Sequence, residues 1–196
     1  MDTCGTNCDF RSAAQFERGR YRLQLRPCLR ARLLLNGLTF VLTVPTMRAV
    51  VQRVRFAKVS VNSELIAQIE KGLCVLVGVG LEDSSVDVDY IAAKLAGLRV
   101  FEDADGKMNL STREVDGEIL LVSQFTLFGD IRRGNRPSFT QASPPSVANE
   151  LFENLVRRVR EVSQCNVRTG RFRAHMDVEL ANDGPVTILI DSKRVF

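Results

Sequence analysis

The chain has 196 residues, of which 45% are hydrophobic and 26% charged, a composition typical of a globular domain with a full hydrophobic core. No apolar run reaches the ~18 residues that a membrane-spanning helix needs, so the sequence predicts no membrane protein. The formal charge of +4 lies in residues 1–46, which hold seven arginines and three acidic residues. The remainder is neutral overall, so any nucleic-acid contact there requires a local basic patch.

Residues 1–46 are predicted to be a disordered extension of a folded domain that spans residues 47–196. The extension is rich in arginine, and its apolar stretch 33–44 is interrupted by Asn36 and Gly37. Three interpretations remain open: an organelle transit peptide, a secretory signal, or a leader without a role in the fold. The secretory signal is the weakest, because the arginine-rich part is too long and no cleavage site follows. The predicted location is the cytoplasm, with organellar targeting by this extension as the alternative.

From residue 47 onward the pattern predicts a single α/β domain built on a mixed sheet. Predicted strands cover residues 48–54, 58–61, 65–69, 73–79, 98–101 and 118–123. One amphipathic helix follows the capping sequence 82–85 and ends at Gly97. Its predicted inward face is Val86, Val88, Ile91, Ala92 and Leu95. A second helix covers residues 145–162. Its predicted inward face is Val147, Leu151, Leu155, Val156 and Val159.

Two glycine-containing segments imitate ligand-binding motifs but predict only turns. Gly78 and Gly80 follow a strand and precede a helix, as in a dinucleotide-binding loop, but Asp83 stands where the third glycine belongs. The sequence 103–106 resembles a calcium loop, but its glycine comes two positions early and the expected glutamate is absent. We therefore predict a strand-to-helix turn and a tight turn.

The cysteines and the histidine limit the possible chemistry. The spacing of the five cysteines is that of neither a disulfide framework nor a zinc site, which indicates a reduced intracellular compartment. Cys74 lies in an apolar run and is predicted to be a buried, inert thiol. His175, the single histidine, is placed in an alternating strand, where an exposed or hydrogen-bonded side chain is commoner than a general base. No metal or cofactor is expected.

Two polar segments attract functional interpretations. The first is the SQFT segment, which consists of Ser123, Gln124, Phe125 and Thr126. It ends an apolar strand, where free backbone N–H groups can hold a developing oxyanion, or where side chains simply cap the strand. The second is the NDGP segment, which consists of Asn182, Asp183, Gly184 and Pro185. Lying between two alternating runs, it predicts a hairpin turn, although its Gly-Pro peptide also allows a cis bond.

The SQFT and NDGP segments resemble the two signature motifs of the D-aminoacyl-tRNA deacylases. Four more stretches match that family in order and spacing, namely residues 47–54, 99–110, 134–139 and 169–172. The resemblance covers residues 47 to about 191 and excludes the extension. It implies a barrel-like mixed sheet with two main helices. It also implies a hydrolase that releases D-amino acids from tRNA, together with glycine misattached to alanine tRNA, as chiral proofreading.

The resemblance further implies a homodimer whose pockets cross the subunit interface. One subunit supplies the SQFT segment with the catalytic residues. The other supplies Gly184 and Pro185, which are joined by a cis peptide bond. Their carbonyl groups exclude an L-side chain and bind the amino group of a D-residue, with Arg53 as a brace. Phe125, Phe139 and Met176 are implied as pocket walls.

The implied partner is aminoacyl-tRNA, bound through its terminal adenosine and acceptor end. The adenosine lies along the SQFT segment, its 2′-hydroxyl activates water, and backbone N–H groups near Phe125 and Thr126 hold the ester carbonyl. Thr126 is the alternative as a nucleophile, but no base is predicted beside it, which favours the RNA-assisted route. A loop with Arg132, Arg133 and Arg136 either holds acceptor-stem phosphates or is merely solvated.

Three rival functions remain. One is a related deacylase with a trans Gly-Pro peptide that removes mischarged L-residues. Another is a non-catalytic nucleic-acid-binding protein on the same fold, for which we would expect a long basic C-terminal appendage or a damaged signature motif. The third is a serine or cysteine hydrolase of other esters, which lacks a plausible base in this sequence.

Overall fold

The computed structural model describes residues 32–35, 38–41 and 46–194. Strands β1 (Arg32–Leu35) and β2 (Leu38–Val41) pair antiparallel, which differs from the disorder expected for these residues. The rest of the extension lies outside the described residues, so its targeting and the domain boundary at residue 47 stay predictions. No helix in the described part of the chain is long and apolar enough to cross a membrane.

Residues 46–194 contain eight strands and two α-helices. The strands are β3 (Arg48–Val61), β4 (Glu64–Ile69), β5 (Gly72–Gly78), β6 (Arg99–Glu102), β7 (Met108–Ser111), β8 (Glu118–Ser123), β9 (Val167–Thr169) and β10 (Asp177–Asp191). The helices are α1 (Ser85–Ala96) and α2 (Pro145–Ser163). A single 3-10 turn, Phe125–Phe128, follows β8.

The main sheet is mixed and curves into a nearly closed barrel. Its strand order is β10-β3-β5-β8-β9, and β4 pairs with the second half of β3. Strand β8 runs parallel to β5 and to β9, whereas the other pairs are antiparallel. Strand β4 also lies near β8 and β9, which brings the two sides of the sheet together. This architecture confirms the predicted α/β domain with a barrel-like mixed sheet and two main helices.

Both faces of the main sheet are buried. Alternate side chains of its central strands point to opposite sides, so each face has its own hydrophobic core. On one face Val51, Val75 and Leu121 pack with the helices. The opposite face contains a smaller core that includes Cys74 and Leu120. Burial raises the pKa of the Cys74 thiol to about 11, which confirms a buried and unreactive cysteine.

The helix predictions are correct in extent but wrong in one residue each. Helix α1 begins after Ser84, which forms a capping box with Asp87, and ends at Gly97. Val86, assigned to its inward face, is 72% exposed, and Val147 of α2 is 43% exposed. Both valines lie in the first turn of their helix, and apolar periodicity does not show which residues of that turn have a packing partner.

The predicted C-terminal hairpin is wrong. Strand β10 is a single strand that pairs with β3 from one end to the other, without reversing direction. Asn182 pairs with Val54 and Thr187 pairs with Gln52, so four residues bulge opposite the single residue Arg53. The turn-forming residues of the NDGP segment therefore serve a bulge, and the chain continues in its original direction.

The two turn predictions are confirmed, and packing explains the first one. A Cβ atom added to Gly78 would lie 2.9 Å from the Phe128 ring, and one added to Gly80 would lie 3.2 Å from the same ring. These glycines thus allow Phe128 to cover the end of β5. Residues 103–106 form the tight turn between β6 and β7, in which Asp103 accepts hydrogen bonds from two backbone N–H groups.

Asp83 gives a testable pH dependence beside this turn. It accepts a hydrogen bond from the Gly80 N–H at 2.6 Å, and burial raises its pKa to about 6. The folded state thus favours the neutral carboxyl of Asp83. The free energy of unfolding therefore falls as the pH rises from the ordinary pKa of an aspartate to the raised pKa of about 6. We expect Asp83→Asn to increase the free energy of unfolding by about 1 kcal/mol at neutral pH. Urea unfolding should show this gain vanishing below pH ~4; a pH-independent difference would contradict it.

Candidate active site

The SQFT segment occupies the end of β8, where the chain leaves the sheet. The Gln124 N–H donates to the Val77 carbonyl at 2.7 Å, which keeps the segment alongside β5. The 3-10 turn then begins, so the N–H groups of Phe125 and Thr126 have no acceptor within that turn. Phe125 and Thr126 are exposed, whereas Ser123 and Gln124 are half-buried. The geometry thus leaves backbone donors available beside exposed side chains.

Aromatic rings and an arginine hold this turn in place. Phe125 packs edge-on against Phe139, with ring centroids 5.0 Å apart and an interplanar angle of 65°. Arg48 donates to the Leu127 carbonyl at 3.0 Å, and its guanidinium lies 4.9 Å from the Phe128 ring centroid. Arg48 was missed as a site residue, because nothing in the sequence signals a contact between positions so far apart.

The Thr126 hydroxyl is not paired with a base. The Gln124 side-chain amide donates to Thr126 Oγ1 at 2.5 Å, and this hydrogen bond withdraws electron density from that oxygen. Within residues 46–194, no cluster of histidine, cysteine, aspartate or glutamate is arranged to hold a metal ion.

A cleft of about 440 Å³ opens beside the SQFT segment. Its walls are mainly apolar, with Leu76, Val122, Met176, Val178 and Leu180. Gln124 and His175 supply polar groups. His175 is exposed and lies just before β10, which corrects its predicted place within a strand. The cleft could accept a side chain of amino-acid size.

The NDGP segment forms the bulge on the edge strand β10, and Gly184 and Pro185 are exposed there. The Gly184–Pro185 peptide is cis, and Gly184 has a φ angle of +123°. Gln52 accepts hydrogen bonds from Asn182 at 2.8 Å and from Thr187 at 2.7 Å, on either side of the bulge. Gln52 was also missed, because its role depends on the cross-strand register.

Arg53 holds the bulge from beneath and is only 5% exposed. It donates through Nε to the Asp183 carbonyl at 3.1 Å and through Nη1 to the Val100 carbonyl at 2.5 Å. Its guanidinium also forms ion pairs with the carboxylates of Asp183 at 3.2 Å and Glu102 at 3.8 Å. The direction of the Asp183 carbonyl is therefore set by a buried side chain with little freedom.

Within one chain, the two signature segments lie at opposite ends of the sheet. Arg53 pairs with Leu73 of β5, whereas the residue of β5 that pairs with Ser123 is Val77. Four residues along a strand correspond to roughly 13 Å, and two further strands separate β10 from β8. The structure thus brings Phe125 and Phe139 together at one end, with the Met176 cleft beside them, and Arg53 with Gly184 and Pro185 at the other.

A mixed, barrel-like sheet that carries an exposed SQFT turn and a bulged NDGP segment is the arrangement expected for a D-aminoacyl-tRNA deacylase. The family described as D-Tyr-tRNA(Tyr) deacylase matches residues 50–191 of the chain. The chain belongs to this family, as its resemblance in sequence had indicated.

Similar proteins agree with this assignment. The chain is 57% identical over 150 residues to a D-aminoacyl-tRNA deacylase of Thermotoga petrophila, covering 76% of this chain and 100% of that protein. It is 55% identical over 150 residues to the D-aminoacyl-tRNA deacylase of Clostridioides difficile, with the same coverage.

Two solved structures share the fold. One is titled c-Myc DNA Unwinding Element Binding Protein, with a TM-score of 0.69 and 40% identity, covering 73% of this chain and 97% of that one. The other is titled a probable eukaryotic D-amino acid tRNA deacylase, with a TM-score of 0.67 and 16% identity, covering 74% and 99%. At that identity the second likeness shows the fold alone.

Proposed function

We propose that the protein hydrolyses the ester bond of D-aminoacyl-tRNA, releasing tRNA and the free D-amino acid. The observation that carries this proposal is the intact SQFT turn, with unpaired backbone donors beside an amino-acid-sized cleft, in a chain 57% identical to a D-aminoacyl-tRNA deacylase. Glycine attached to alanine tRNA is a further candidate substrate, because glycine has no side chain for a chiral pocket to exclude.

The proposed mechanism relies on positioning and needs little acid–base chemistry from the protein. An aminoacyl ester is already activated, and the N–H groups of Phe125 and Thr126 are placed to stabilise the oxyanion that forms when water attacks. The terminal adenosine lies along the SQFT turn, and its 2′-hydroxyl assists the attacking water. Ser123 and Gln124 hold the turn, and the Phe125–Phe139 pair and Met176 form the walls.

We propose that Gly184 and Pro185 of one subunit complete the pocket of the other in a homodimer. The separation of the two segments along the sheet within one chain supports this arrangement. The edge strand β10 supports it, because a 15-residue edge with Val178 and Leu189 exposed offers pairing groups and apolar surface to a second copy. Exposed carbonyl groups of the bulge, fixed by Arg53, would then exclude an L-side chain and bind the amino group of a D-residue.

Mixed dimers test this shared site. A chain with Gly184→Ala and a chain with Gln124→Ala are each expected to be nearly inactive. Combined in equal amounts, they form heterodimers with one intact site, so activity should return to roughly a quarter of the native value. Activity that stays at the level of the separate variants would show that each site uses a single chain.

The direct test compares deacylation of D-Tyr-tRNA and L-Tyr-tRNA by the full chain, with protein-free samples as the control. Rapid loss of the D-ester with the L-ester spared is the expected result. Loss of both esters would show that the Gly-Pro segment does not select chirality, as in the rival deacylase for L-residues. If neither ester is hydrolysed, the protein is not a deacylase of these substrates.

Replacing Thr126 by valine distinguishes the two catalytic routes. Because the Thr126 oxygen faces an amide donor and no base, we expect kcat/KM for D-Tyr-tRNA to fall by less than about tenfold. A nucleophilic Thr126 would predict a loss of about 10⁴-fold or more. Single-turnover kinetics check this, and a covalent aminoacyl-protein on the native chain would contradict the RNA-assisted route.

A non-catalytic nucleic-acid-binding protein is the second candidate, favoured by the 40% identity to a structure titled a DNA unwinding element binding protein. DNA binding and deacylation can be separated by titrating the protein with duplex and single-stranded DNA. Tight, sequence-selective DNA binding without hydrolysis of D-Tyr-tRNA would establish the second candidate.

We further propose a cytoplasmic location, which suits tRNA as a substrate and the free thiols of Cys74 and Cys165. Fluorescent fusions of the full chain and of a chain beginning at Met47 would test it. A different distribution of the two fusions would assign a targeting role to residues 1–46.

A further inference from the structure

A turn rich in arginine lies at the rim of the candidate active site. Strand β9 runs parallel to β8, and the Gly170 N–H donates to the Leu121 carbonyl at 3.1 Å. The chain therefore leaves β9 toward the sheet end where the SQFT segment leaves β8. A turn follows, closed by the Ala174 N–H donating to the Arg171 carbonyl at 3.3 Å. We call residues 171–174 the arginine turn.

The arginine turn adjoins the cleft that contains Gln124. Ala174 and His175 line that cleft together with Gln124, and Arg173 precedes Ala174 in the same turn, which begins at Arg171. Both arginines are exposed. A ligand held on the SQFT segment would therefore extend past these two side chains.

Arg171 and Arg173 belong to the arginines of residues 46–194 whose side chains form no ion pair or hydrogen bond, a group that also includes Arg55, Arg113, Arg133, Arg136 and Arg168. Arg48, Arg53, Arg132 and Arg158 form ion pairs with carboxylates, and Arg160 donates to a backbone carbonyl. Within residues 46–194, no ion pair or hydrogen bond of the Arg171 or Arg173 side chain is found. Since the domain is neutral overall, this local excess of positive charge must act at short range.

The backbone of Arg173 supports a role for its side chain. Its φ angle is +60°, a left-handed conformation in which glycine is the least strained residue. Arginine is uncommon at such a position, and with no internal partner the Arg173 side chain is available to contact a ligand.

We propose that Arg171 and Arg173 bind the backbone phosphates of the tRNA 3′ strand that precede the terminal adenosine. This inference rests on the proposed function for the position of the ester. The arginine fork matches the geometry of a phosphate and is exposed where the strand would leave the cleft. Contacts of this kind fix the position of the strand without reading its bases.

Two matched substitutions test the proposal on the full chain. Arg173→Gly removes the guanidinium and relieves the positive φ, so the fold is retained. Arg194→Gly is the control, because Arg194 has a φ of +58° and its guanidinium lies by Tyr90 of α1. Arg171→Ala serves as a second test variant. Thermal unfolding compares the stability of all three with that of the native chain.

The first readout is binding of uncharged tRNA at several salt concentrations, which requires no catalysis. We expect Arg173→Gly and Arg171→Ala each to weaken binding about five- to tenfold. Each should also lower the slope of log affinity against log salt by about 0.7, the value for one contact to a single strand. Arg194→Gly should match the native chain. Native affinity and slope in both test variants would overturn the proposal.

The second readout separates this proposal from the proposed function. D-tyrosyl adenosine contains the ester but no phosphate, so both test variants should hydrolyse it as the native chain does. With D-Tyr-tRNA, their KM should rise about five- to tenfold with kcat unchanged. An equal loss on both substrates would overturn the phosphate contact. If the native chain hydrolyses neither, the proposed function fails, while weaker tRNA binding by the variants would still support the contact. If the two test variants lost binding of single-stranded DNA but bound tRNA as the native chain does, the phosphate contact to tRNA would also be overturned.

Discussion

Replacement of Arg53 by alanine is expected to lower the free energy of unfolding by about 3 kcal/mol and to reduce deacylation of D-Tyr-tRNA by about 100-fold. Arg53 is buried, and its removal leaves the carbonyls of Asp183 and Val100 without their donor. The carboxylates of Asp183 and Glu102 are partly exposed, so water screens their loss of the ion pair. The stability effect therefore comes mainly from unpaired carbonyls and lost packing. The activity effect comes from release of the bulge.

The matched control is Arg55→Ala on the same strand. Arg55 is exposed, so the same change of side chain should alter the free energy of unfolding by less than about 0.5 kcal/mol and leave activity intact. Arg53→Lys keeps the charge but lacks the fork that reaches two carbonyls, so it should recover only part of the loss. Urea unfolding and kcat/KM measure the two effects. Native activity in a folded Arg53→Ala protein would show that the bulge needs no brace.

Replacement of Gly184 by alanine is expected to cost about 2 kcal/mol of folding free energy and to abolish most of the deacylase activity. At a φ of +123° an L-side chain is strained whatever space surrounds it. The added Cβ would also lie 3.0 Å from Val186 Cγ2 and 3.1 Å from Arg53 Nη2. Relief of this contact requires movement of the bulge or of Arg53. Either movement shifts the carbonyl groups proposed to select chirality, and we expect a loss of about 100-fold in kcat/KM.

Gly106→Ala is the control for the backbone cost alone. Gly106 has a φ of +75°, and nothing lies within 4 Å of the Cβ that alanine would add. It should lose about 1 kcal/mol of stability, as expected for a strained backbone without a clash, and keep its activity. Chemical denaturation and the D-Tyr-tRNA assay compare the pair. Equal activity in both variants would remove Gly184 from the proposed site.

Elements whose cause is local could be predicted from the sequence. Helix α1 follows its capping residues and ends at a glycine, and the apolar run at residues 73–79 predicted the strand β5. These predictions were correct because the capping residues and the apolar pattern lie within the element that they specify or a few residues from it. The exposure of Val86 could not be predicted, since apolar periodicity does not show which residues of the first helical turn lack a packing partner.

The NDGP segment shows where local signals fail. Its residues favour a turn, and both a hairpin and a bulge satisfy that preference. The choice depends on β3, whose 14 residues provide a partner on both sides of the bulge, and on Arg53, which lies 130 positions away from Asp183. No local pattern contains that information.

For the candidate site, the sequence by itself determined the family and the SQFT and NDGP segments. Resemblance of motifs identifies residues because their types and order are read directly along the chain. Only the tertiary structure decided how those residues are placed: the Phe125–Phe139 contact, the bracing of the bulge by Arg53 and Gln52, and the distance between the two segments. These depend on the register of β3, β5, β8 and β10. Register is set by packing of the whole sheet, which no single segment of sequence specifies.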